Sequence, residues 1–459
     1  GVDNDPHLYI FFGKDMGFDL AGYHAPSDGV IPQAHKYSNT HEMFYMNSDV
    51  LDLWDEYTLS VMAHEFQHLI HGFHDPNEEL WINEGFSELA TLLNGYDTGG
   101  FDSSYTYDTD IQLNTWSVGD ESDYPHYGAS FLYVAYMLDR FGDDFTKAVV
   151  ASQLNGFTSI DEILTRDQVT DPATGKLITA DDFFVDWTIA NYFNDPSIGD
   201  GRYAYHIYSS APTARTTETV TQCANVDLNR TVKQYGVDYI ELDCEGGSVD
   251  LQFSGASSVS VLPLPSSDGR FMWSNRADTS VMKLSREFDF SQVSGPITLS
   301  YRTWYDLETD YDYVYLLAST DGQNWEIVNT PSCTSYDPSG NSYGCGYNDN
   351  SRGWITEDVD LSKYAGSKVT LSFEYITDAA VNGEGFVIDD VAVSAIDYAA
   401  DFNDDDGGWL AEGFVRIDNL IPQSFMVSIL NPGDPQPVQK YVLTDGETLD
   451  VTLPPLPRG

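Results

Sequence analysis

The sequence predicts a multidomain protein in which an α+β domain precedes an all-β sandwich region. Up to about residue 210, apolar residues recur at the helical spacings of three and four, as in residues 55–72 and 180–195. From about residue 215 onwards, apolar and polar residues alternate, as in residues 297–305 and 369–377. Such alternation, interrupted by glycine-containing and proline-containing turns, is typical of antiparallel sheets packed face to face.

The first region opens with strand-like runs at residues 7–13 and 42–47 and continues with helical patterns. This order predicts a small sheet followed by helices. We expect helices to end at Gly72, Gly95 and Gly142, because glycine adopts the left-handed conformation that closes many helices. The patterns divide the chain into four segments: residues 1–212, the α+β domain; 213–264, a β-rich connecting segment; 265–397, a β-sandwich; and 398–459, a C-terminal β segment.

Acidic residues dominate the charge of the chain. The 73 Asp and Glu residues oppose 21 Lys and Arg residues, which gives a formal net charge of -52. This charge repels nucleic acid and anionic membrane surfaces, and we interpret it as solubility in a salty or extracellular medium. No apolar run approaches the roughly 20 residues of a membrane helix. The chain also begins without a basic and then apolar leader, so we expect a mature or trimmed protein.

Four cysteines form two local pairs in the sequence. Of the three pairings that four cysteines allow, the simplest joins Cys223 to Cys244 and Cys333 to Cys345. Neither pair has the Cys-x-x-Cys spacing of a zinc or redox site. We therefore expect two disulfides and an extracellular location, with free buried thiols as the alternative. We expect the protein to be a monomer.

The segment HEFQH carries the clearest chemical signal. His64 and His68 are four residues apart, so on a helix they lie on one face, one turn apart, and their neutral imidazoles can bind one Zn2+ ion. Glu65 stands between them, within reach of the attacking water. The pattern HExxH is the zincin signature, in which the glutamate acts as general base.

Two residues compete to be the third zinc ligand. His74 follows His68 by six residues, which is the metzincin spacing. That motif needs glycine where this chain has His71, and Gly72 comes one residue late. The other candidate is Glu84, which is favoured because the glycine that turns the chain in metzincins is missing at position 71. His71 and His74 would then lie outside the ligand set, where they could support a ligand, line the rim of the site or be solvated, and we expect both to be solvated.

Glu84 belongs to a second helical pattern, WINEGFSELATLL. Glu88 follows it by four residues, so both carboxylates lie on one helix face. The intervening HDPNEE has the proline and asparagine of a turn, which would bring this helix back beside the first. Glu84 could then face the metal, while Glu88 accepts the ring N–H of a ligating histidine.

HEFQH followed by a short spacer and W-x-N-E-G-x-S-E resembles the gluzincin zinc metallopeptidases, most closely the hyicolysin type. The resemblance covers residues 1 to about 200 and implies a zincin-like catalytic domain. It implies that His64, His68 and Glu84 bind one catalytic zinc ion, that Glu65 is the base, and that Glu88 supports a ligand.

The same resemblance implies an oxyanion donor and a substrate-binding strand. Gluzincins place a tyrosine or histidine just before a downstream helix, and His126 and Tyr127 occupy that place here. Zincins also lay the substrate along an edge strand of the small sheet. By analogy we expect residues 42–49 to form that strand.

The region of residues 265–395 resembles the β-rich region that follows the catalytic domain in immune inhibitor A-like secreted peptidases. It implies a jelly-roll-like module that binds calcium. Candidate ligands are the acidic residues of one loop and the end of a strand, with a solvated acidic turn as the alternative. These candidates are Asp306, Glu308, Asp310, Asp312 and Asp390, the last preceded by Asp389.

The sequence thus predicts a secreted zinc endopeptidase that hydrolyses protein or peptide substrates. One alternative is an extracellular binding or adhesive protein with a degenerate zincin domain. An intact Glu65 disfavours it, since a decayed site loses its base early. A second alternative is a metzincin that uses His74. An exopeptidase would need a group that grips a chain terminus, and the sequence identifies none.

Overall fold

A computed structural model describes residues 2–18, 20–33, 35–117, 121–244, 247–265, 269–378 and 381–455. The chain divides into two compact units. The first comprises Gly1–Phe253, Met426–Leu443 and Thr448–Gly459, and the second comprises Ser254–Phe425 and Thr444–Glu447. The C-terminal β segment of the sequence analysis is therefore divided between the two units, with Met426–Leu443 and Thr448–Gly459 grouped with the first. The four domain boundaries themselves stay a prediction.

The first unit contains a small sheet, helices and several later strands. Its leading strands are β1 (Tyr9–Gly13), β2 (Gly22–His24) and β3 (Met43–Asn47). Its helices are α1 (Glu56–His74), α2 (Leu80–Leu93), α3 (Phe101–Tyr107), α4 (Tyr124–Phe141), α5 (Asp143–Val150), α6 (Gly156–Arg166) and α7 (Ala180–Phe193). Its later strands are β4 (Glu218–Val220), β5 (Ile240–Leu242) and β6 (Val249–Ser254).

The remaining strands complete the β-rich C-terminal region. They are β7 (Ser258–Ser260), β8 (Phe271–Trp273), β9 (Val281–Asp289), β10 (Thr298–Asp306), β11 (Tyr313–Ser319), β12 (Glu326–Ile327), β13 (Ile355–Asp360), β14 (Lys368–Ile376), β15 (Gly385–Val393), β16 (Tyr398–Ala400), β17 (Leu410–Glu412), β18 (Val415–Ile417), β19 (Leu420–Pro422), β20 (Ser424–Leu430), β21 (Val438–Thr444) and β22 (Thr448–Leu453). The order of a helical region followed by a β-rich region is confirmed.

The small sheet corrects the choice of edge strand. Its order is β1-β3-β2, with β1 parallel and β2 antiparallel to β3. The segment predicted to be the edge, residues 42–49, therefore contains the central strand β3. Among the described residues, β1 and β2 are the edges. Three-residue β2 is too short for its alternation to be recognised in the sequence.

Helix α1 runs through Gly72, so the predicted end at this residue is wrong. The helix begins after Asp55, whose carboxylate accepts the N–H of Tyr57. It ends before Asp75, which is extended (φ -141°, ψ 98°) because the residue before a proline is disfavoured in the helical conformation. The predicted stops at Gly95 and Gly142 are confirmed, with φ of 84° and 79°.

The core of the first unit forms around α2, α4 and α7. Helix α4 is almost entirely buried along its central turns, and Trp81 and Trp187 are 1% and 0% exposed. Gly85 lets α2 approach α4 closely, because a Cβ atom there would lie 2.7 Å from the carbonyl oxygen of Ser130. The same glycine follows Glu84, so this close approach also fixes the position of that carboxylate.

The C-terminal strands β20 and β21 pair with each other and pack on the core of the first unit. An ion-pair network attaches them to α7. Lys440 Nζ lies 2.9 Å from Asp186 Oδ1, and Arg140 lies 3.0 Å from the second oxygen of the same carboxylate. Asp186 is buried, so cations on both sides offset the cost of removing its charge from water.

The second unit is a sandwich of two antiparallel sheets. One has the order β13-β10-β15-β8-β18, with β16 paired to β15, and the other has the order β12-β11-β14-β9-β17. Alternate residues of β14, namely Val369, Leu371, Phe373 and Tyr375, are buried as the sequence pattern predicts. Within the described parts of the chain, no helix has both the length and the apolar character needed to cross a membrane.

Both predicted disulfides are confirmed. Cys223 pairs with Cys244 in the first unit, with Cα atoms 5.8 Å apart. Cys333 pairs with Cys345 in the second unit, with Cα atoms 5.2 Å apart. Each bond closes a short local loop and thereby restricts the unfolded chain.

Candidate metal centre

Helices α1 and α2 bring two histidines and a glutamate to one point. His64 Nε2 lies 2.9 Å from His68 Nε2, and Glu84 Oε2 lies 3.1 Å and 3.4 Å from these nitrogens. The ring nitrogens face each other because four helical residues separate them. Glu84 reaches them because the short turn after α1 returns α2 alongside.

These three residues fit a zinc ion. A tetrahedral site with ligand distances of about 2.0–2.2 Å separates neighbouring ligand atoms by about 3.3–3.6 Å, close to the spacings observed. Two imidazoles and a carboxylate are a donor set that zinc prefers. Glu84 Oε2 is also buried and receives no well-aligned hydrogen bond from any described residue. A bound cation would supply the missing partner.

The other nitrogen of each histidine ring is held by α2. His64 Nδ1 lies 3.0 Å from Glu88 Oε1, the contact that the sequence analysis expects. His68 Nδ1 lies 2.7 Å from Asn83 Oδ1 and 3.1 Å from Ser87 Oγ. Such contacts fix the ring orientation and leave Nε2 free to bind a metal.

Sequence reasoning missed Asn83 and Ser87. A usable signal was present, since these residues are four apart in NEGFSE, the same spacing as Glu84 and Glu88. Two adjacent faces of α2 therefore meet the two histidines of α1. Asn83 and Ser87, which lie beside the glutamates in this motif, thus hold the ring of His68.

The charges within this cluster perturb one another. Burial opposes a charge on His64, but the carboxylates of Glu84 and Glu88 outweigh burial and raise its pKa well above the ordinary value. Burial acts against ionisation of Glu84 as well, yet His64 and His68 lower its pKa to about 2. The carboxylate is therefore ionised at neutral pH, as a metal ligand must be.

Glu65 lies beside this cluster and is 5% exposed. Burial raises its pKa, while the nearby histidines and the main-chain N–H of His24 act in the opposite direction. A raised pKa brings a carboxyl group closer to the range in which it exchanges protons at neutral pH. A carboxylate with this location and this raised pKa could act as a general base.

Sequence reasoning also missed His24. It ends β2, which packs against α1. Burial and the neighbouring His68 lower its pKa to about 4, against the opposing charge of Asp28, so its ring is neutral. The edge strand beside the metal cluster is accordingly β2 and not β3.

The two candidate oxyanion donors have different surroundings. The ring centroid of Tyr127 lies 6.3 Å from that of His64, and the charges of Glu84 and Glu88 act on the tyrosine. Burial is the main cause that raises its pKa, so the hydroxyl keeps its proton. His126 is buried against Trp116, with ring centroids 5.7 Å apart. The structure brings Tyr127, and not His126, beside the metal cluster.

His71 and His74 lie outside the cluster for different reasons. His74 is exposed, as expected, and continuous α1 places it about 9 Å along the helix axis from His68. His71 is 0% exposed, so the expectation that it is solvated is wrong. Its ring packs edge-on against Phe86 of α2 at 5.8 Å, and burial is the main cause that lowers its pKa to about 4.

A cluster of acidic residues, separate from the metal cluster, lies in the β-sandwich. Glu308, Asp312 and Asp378 have carboxylate oxygens within 4.8 Å of one another. Burial, with the charge of Asp378, raises the pKa of Glu308 to about 7 and that of Asp312 to about 6. Tyr375 donates to Asp312 Oδ2 at 3.0 Å.

The other calcium candidates have separate partners. Asp306 accepts a hydrogen bond from Asn350 at 2.7 Å. Asp389 and Asp390 pair with Arg302 at 2.7 Å and 2.6 Å. Asp310 likewise does not belong to the three-residue cluster. Asp378 was missed because about 70 residues separate it from Glu308 in the chain.

Comparison with known proteins relates the β-rich region to peptidases. Residues 232–419 match the model of the immune inhibitor A-like MAM domain. Bacillopeptidase F of Bacillus subtilis is 29% identical over 127 residues, which are 28% of this chain and 8% of the relative. Pre-pro-metalloprotease PrtV of Vibrio cholerae is 32% identical over 125 residues, 27% of this chain and 13% of the relative. Immune inhibitor A of Bacillus thuringiensis is 30% identical over 123 residues, 26% of this chain and 16% of the relative.

These similarities are confined to one part of the protein. They fall in the C-terminal MAM-like region, and this chain spans less than a fifth of the length of each of these relatives. The C-terminal region is thus of a peptidase-associated, immune inhibitor A-like type. The metal cluster at residues 64–84 lies outside the matched residues.

Proposed function

We propose that the protein is a secreted zinc-dependent endopeptidase of the gluzincin type. The observation that carries the proposal is the convergence of His64 Nε2, His68 Nε2 and Glu84 Oε2, with Glu65 beside them. The name of one relative, a metalloprotease, adds support through the C-terminal region. The two disulfides support an oxidising, extracellular location. We propose a monomer.

His64, His68 and Glu84 would hold the ion, and Glu65 would move the protons. When bound, zinc supplies a Lewis acid that polarises a carbonyl group and lowers the pKa of water to about 7. Glu65 accepts a proton from the attacking water and then donates it to the leaving amine. The main-chain N–H of His24 keeps the Glu65 carboxylate in place.

Two further parts of the first unit would serve the substrate. Edge strand β2 can pair with an extended peptide, which would position the scissile bond beside α1. Tyr127 keeps its proton because its pKa is raised, so it can donate a hydrogen bond to the developing oxyanion. A peptide bound in this extended way would be cleaved within its chain, as an endopeptidase does.

Metal removal tests this function. Purified protein treated with a zinc chelator is expected to lose hydrolysis of a reduced, alkylated protein substrate and to regain it with one equivalent of Zn2+. The measurement is the rate of fluorescent peptide release, with zinc content determined by mass spectrometry. Zinc-loaded protein that hydrolyses nothing would instead favour the adhesive alternative, for which the MAM-like region is the supporting observation.

Replacing Tyr127 with phenylalanine is expected to lower kcat by about 100-fold, as loss of an oxyanion donor does, with little change in KM. The variant keeps the ring that stacks on Phe101 at 4.9 Å, so the fold should not change. The control is His126→Gln, which leaves Tyr127 in place. A larger loss of kcat in the control would assign the donor role to His126.

We propose that Glu308, Asp312 and Asp378 bind a structural calcium ion in the β-sandwich. Three carboxylates in one cluster suit this ion. Glu308 Oε2 is buried and accepts no hydrogen bond within the described ranges. Glu308→Gln is expected to remove one equivalent of Ca2+ in isothermal titration, whereas Asp310→Asn should not. Equal calcium binding by both variants would contradict this assignment.

A further inference from the structure

The turn between α1 and α2 contains buried acidic oxygens without partners. Asp75 is 1% exposed, yet neither of its carboxylate oxygens accepts a hydrogen bond from any residue that the structure describes. Glu78 Oε2, in the same turn, is likewise buried and unpartnered. No described lysine or arginine donates to these three oxygens.

The polar groups around these oxygens are well paired. Glu78 Oε1 accepts the main-chain N–H groups of Gly156 and Glu79 at 2.8 Å and 2.6 Å. Gln153 donates to the carbonyl of His74 at 2.6 Å, and Trp81 donates to Glu79 Oε2 at 2.6 Å. The unpartnered oxygens of Asp75 and Glu78 are therefore exceptions within an otherwise ordered turn.

Ionised carboxylates in this environment need a counter-charge. Burying a carboxylate without a donor or a cation is strongly unfavourable. Burial, together with the charges of Asp75 and Glu79, raises the pKa of Glu78 to about 7. The charge of Asp75 acts on Glu78, so the two carboxylates are neighbours, and a hard divalent cation between them would offset both charges.

We propose that Asp75 and Glu78 bind a calcium ion in the turn that joins the two helices of the metal centre. Calcium accepts six to eight oxygen ligands at about 2.3–2.6 Å, so three carboxylate oxygens with water and main-chain carbonyls suit it. The ion stabilises the turn that connects α1 to α2. This site does not depend on the proposed peptidase activity.

Calcium binding to the full chain tests the proposal. The parent protein carries Glu308→Gln, which removes the candidate ligand of the β-sandwich site. Asp75→Asn combined with Glu78→Gln is expected to lose one equivalent of Ca2+ in equilibrium dialysis and to bind calcium at least tenfold more weakly. Zinc content should stay unchanged. The matched control is Asp144→Asn with Glu162→Gln, since both of these carboxylates are exposed.

Thermal unfolding supplies a second measurement. Calcium is expected to raise the Tm of the parent and of the control, but not of the double variant. If the double variant does not fold, Glu78→Gln alone must still weaken calcium binding tenfold for the proposal to stand. A parent that binds no calcium, a preference for Zn2+ over Ca2+ at this turn, or equal binding by parent and double variant would overturn it.

Discussion

Replacing Glu65 with glutamine is expected to lower the rate of protein hydrolysis by about 1000-fold, within the range of about 10²–10⁴ that general acid–base catalysis contributes. Glutamine has the same shape but cannot accept a proton from the attacking water. The zinc ligands His64, His68 and Glu84 are untouched, so one equivalent of zinc should remain. The measurements are the initial rate on an unfolded protein substrate and the zinc content of the same sample.

The matched control for this variant is Glu56→Gln. Glu56 lies on the same helix, in its exposed first turn, and has no contact with the metal cluster. Its replacement should change neither rate nor zinc content. Equal hydrolysis by the wild type and Glu65→Gln, with zinc present in both, would rule out Glu65 as the base.

Replacing Glu84 with alanine is expected to abolish stoichiometric zinc binding and, with it, activity. Loss of a group that merely supports a ligand costs about 10–100-fold in metal affinity, and loss of a ligand should cost more. Removing Glu84 also removes the carboxylate that lies 3.1 Å and 3.4 Å from the facing nitrogens of His64 and His68. Affinity is measured by competition with a chromophoric chelator.

His74→Ala separates this arrangement from the metzincin alternative. His74 is exposed and is expected to be dispensable, so this variant should keep one zinc equivalent and wild-type activity. Glu88→Gln should give an intermediate result, since it removes the carboxylate beside His64 Nδ1 but no ligand. Zinc retained by Glu84→Ala but lost by His74→Ala would make the protein a metzincin.

Local patterns account for much of the first unit and for parts of the second. A spacing of four puts His64 above His68 on one helix face whatever surrounds the helix. The same rule put Glu84 and Glu88 together on α2, and Pro76 made a turn between the helices predictable. The disulfides followed from proximity in the chain, and strand β14 followed from its alternation.

Other features depended on contacts between distant segments. The spacing of His71 from His68 does not show whether its ring is exposed or buried. The ring is buried because Phe86 of α2 packs against it. Strand β2 has three residues, too few to show a period in the sequence. It is recognised as a strand only from its pairing with β3. Asp378 joins Glu308 and Asp312 because β14 pairs with β11 in the sandwich.

The composition, the helix faces, the two disulfides and the residues HEFQH and NEGFSE could be interpreted from the chain alone, because each depends on the spacing of neighbouring residues. The convergence of three ligand atoms, the supporting role of Asn83 and Ser87, and the return of β20 and β21 to the first core depend on packing. Helix α1 carries four histidines, and the packing of α2 against it brings a partner to two of them and covers a third.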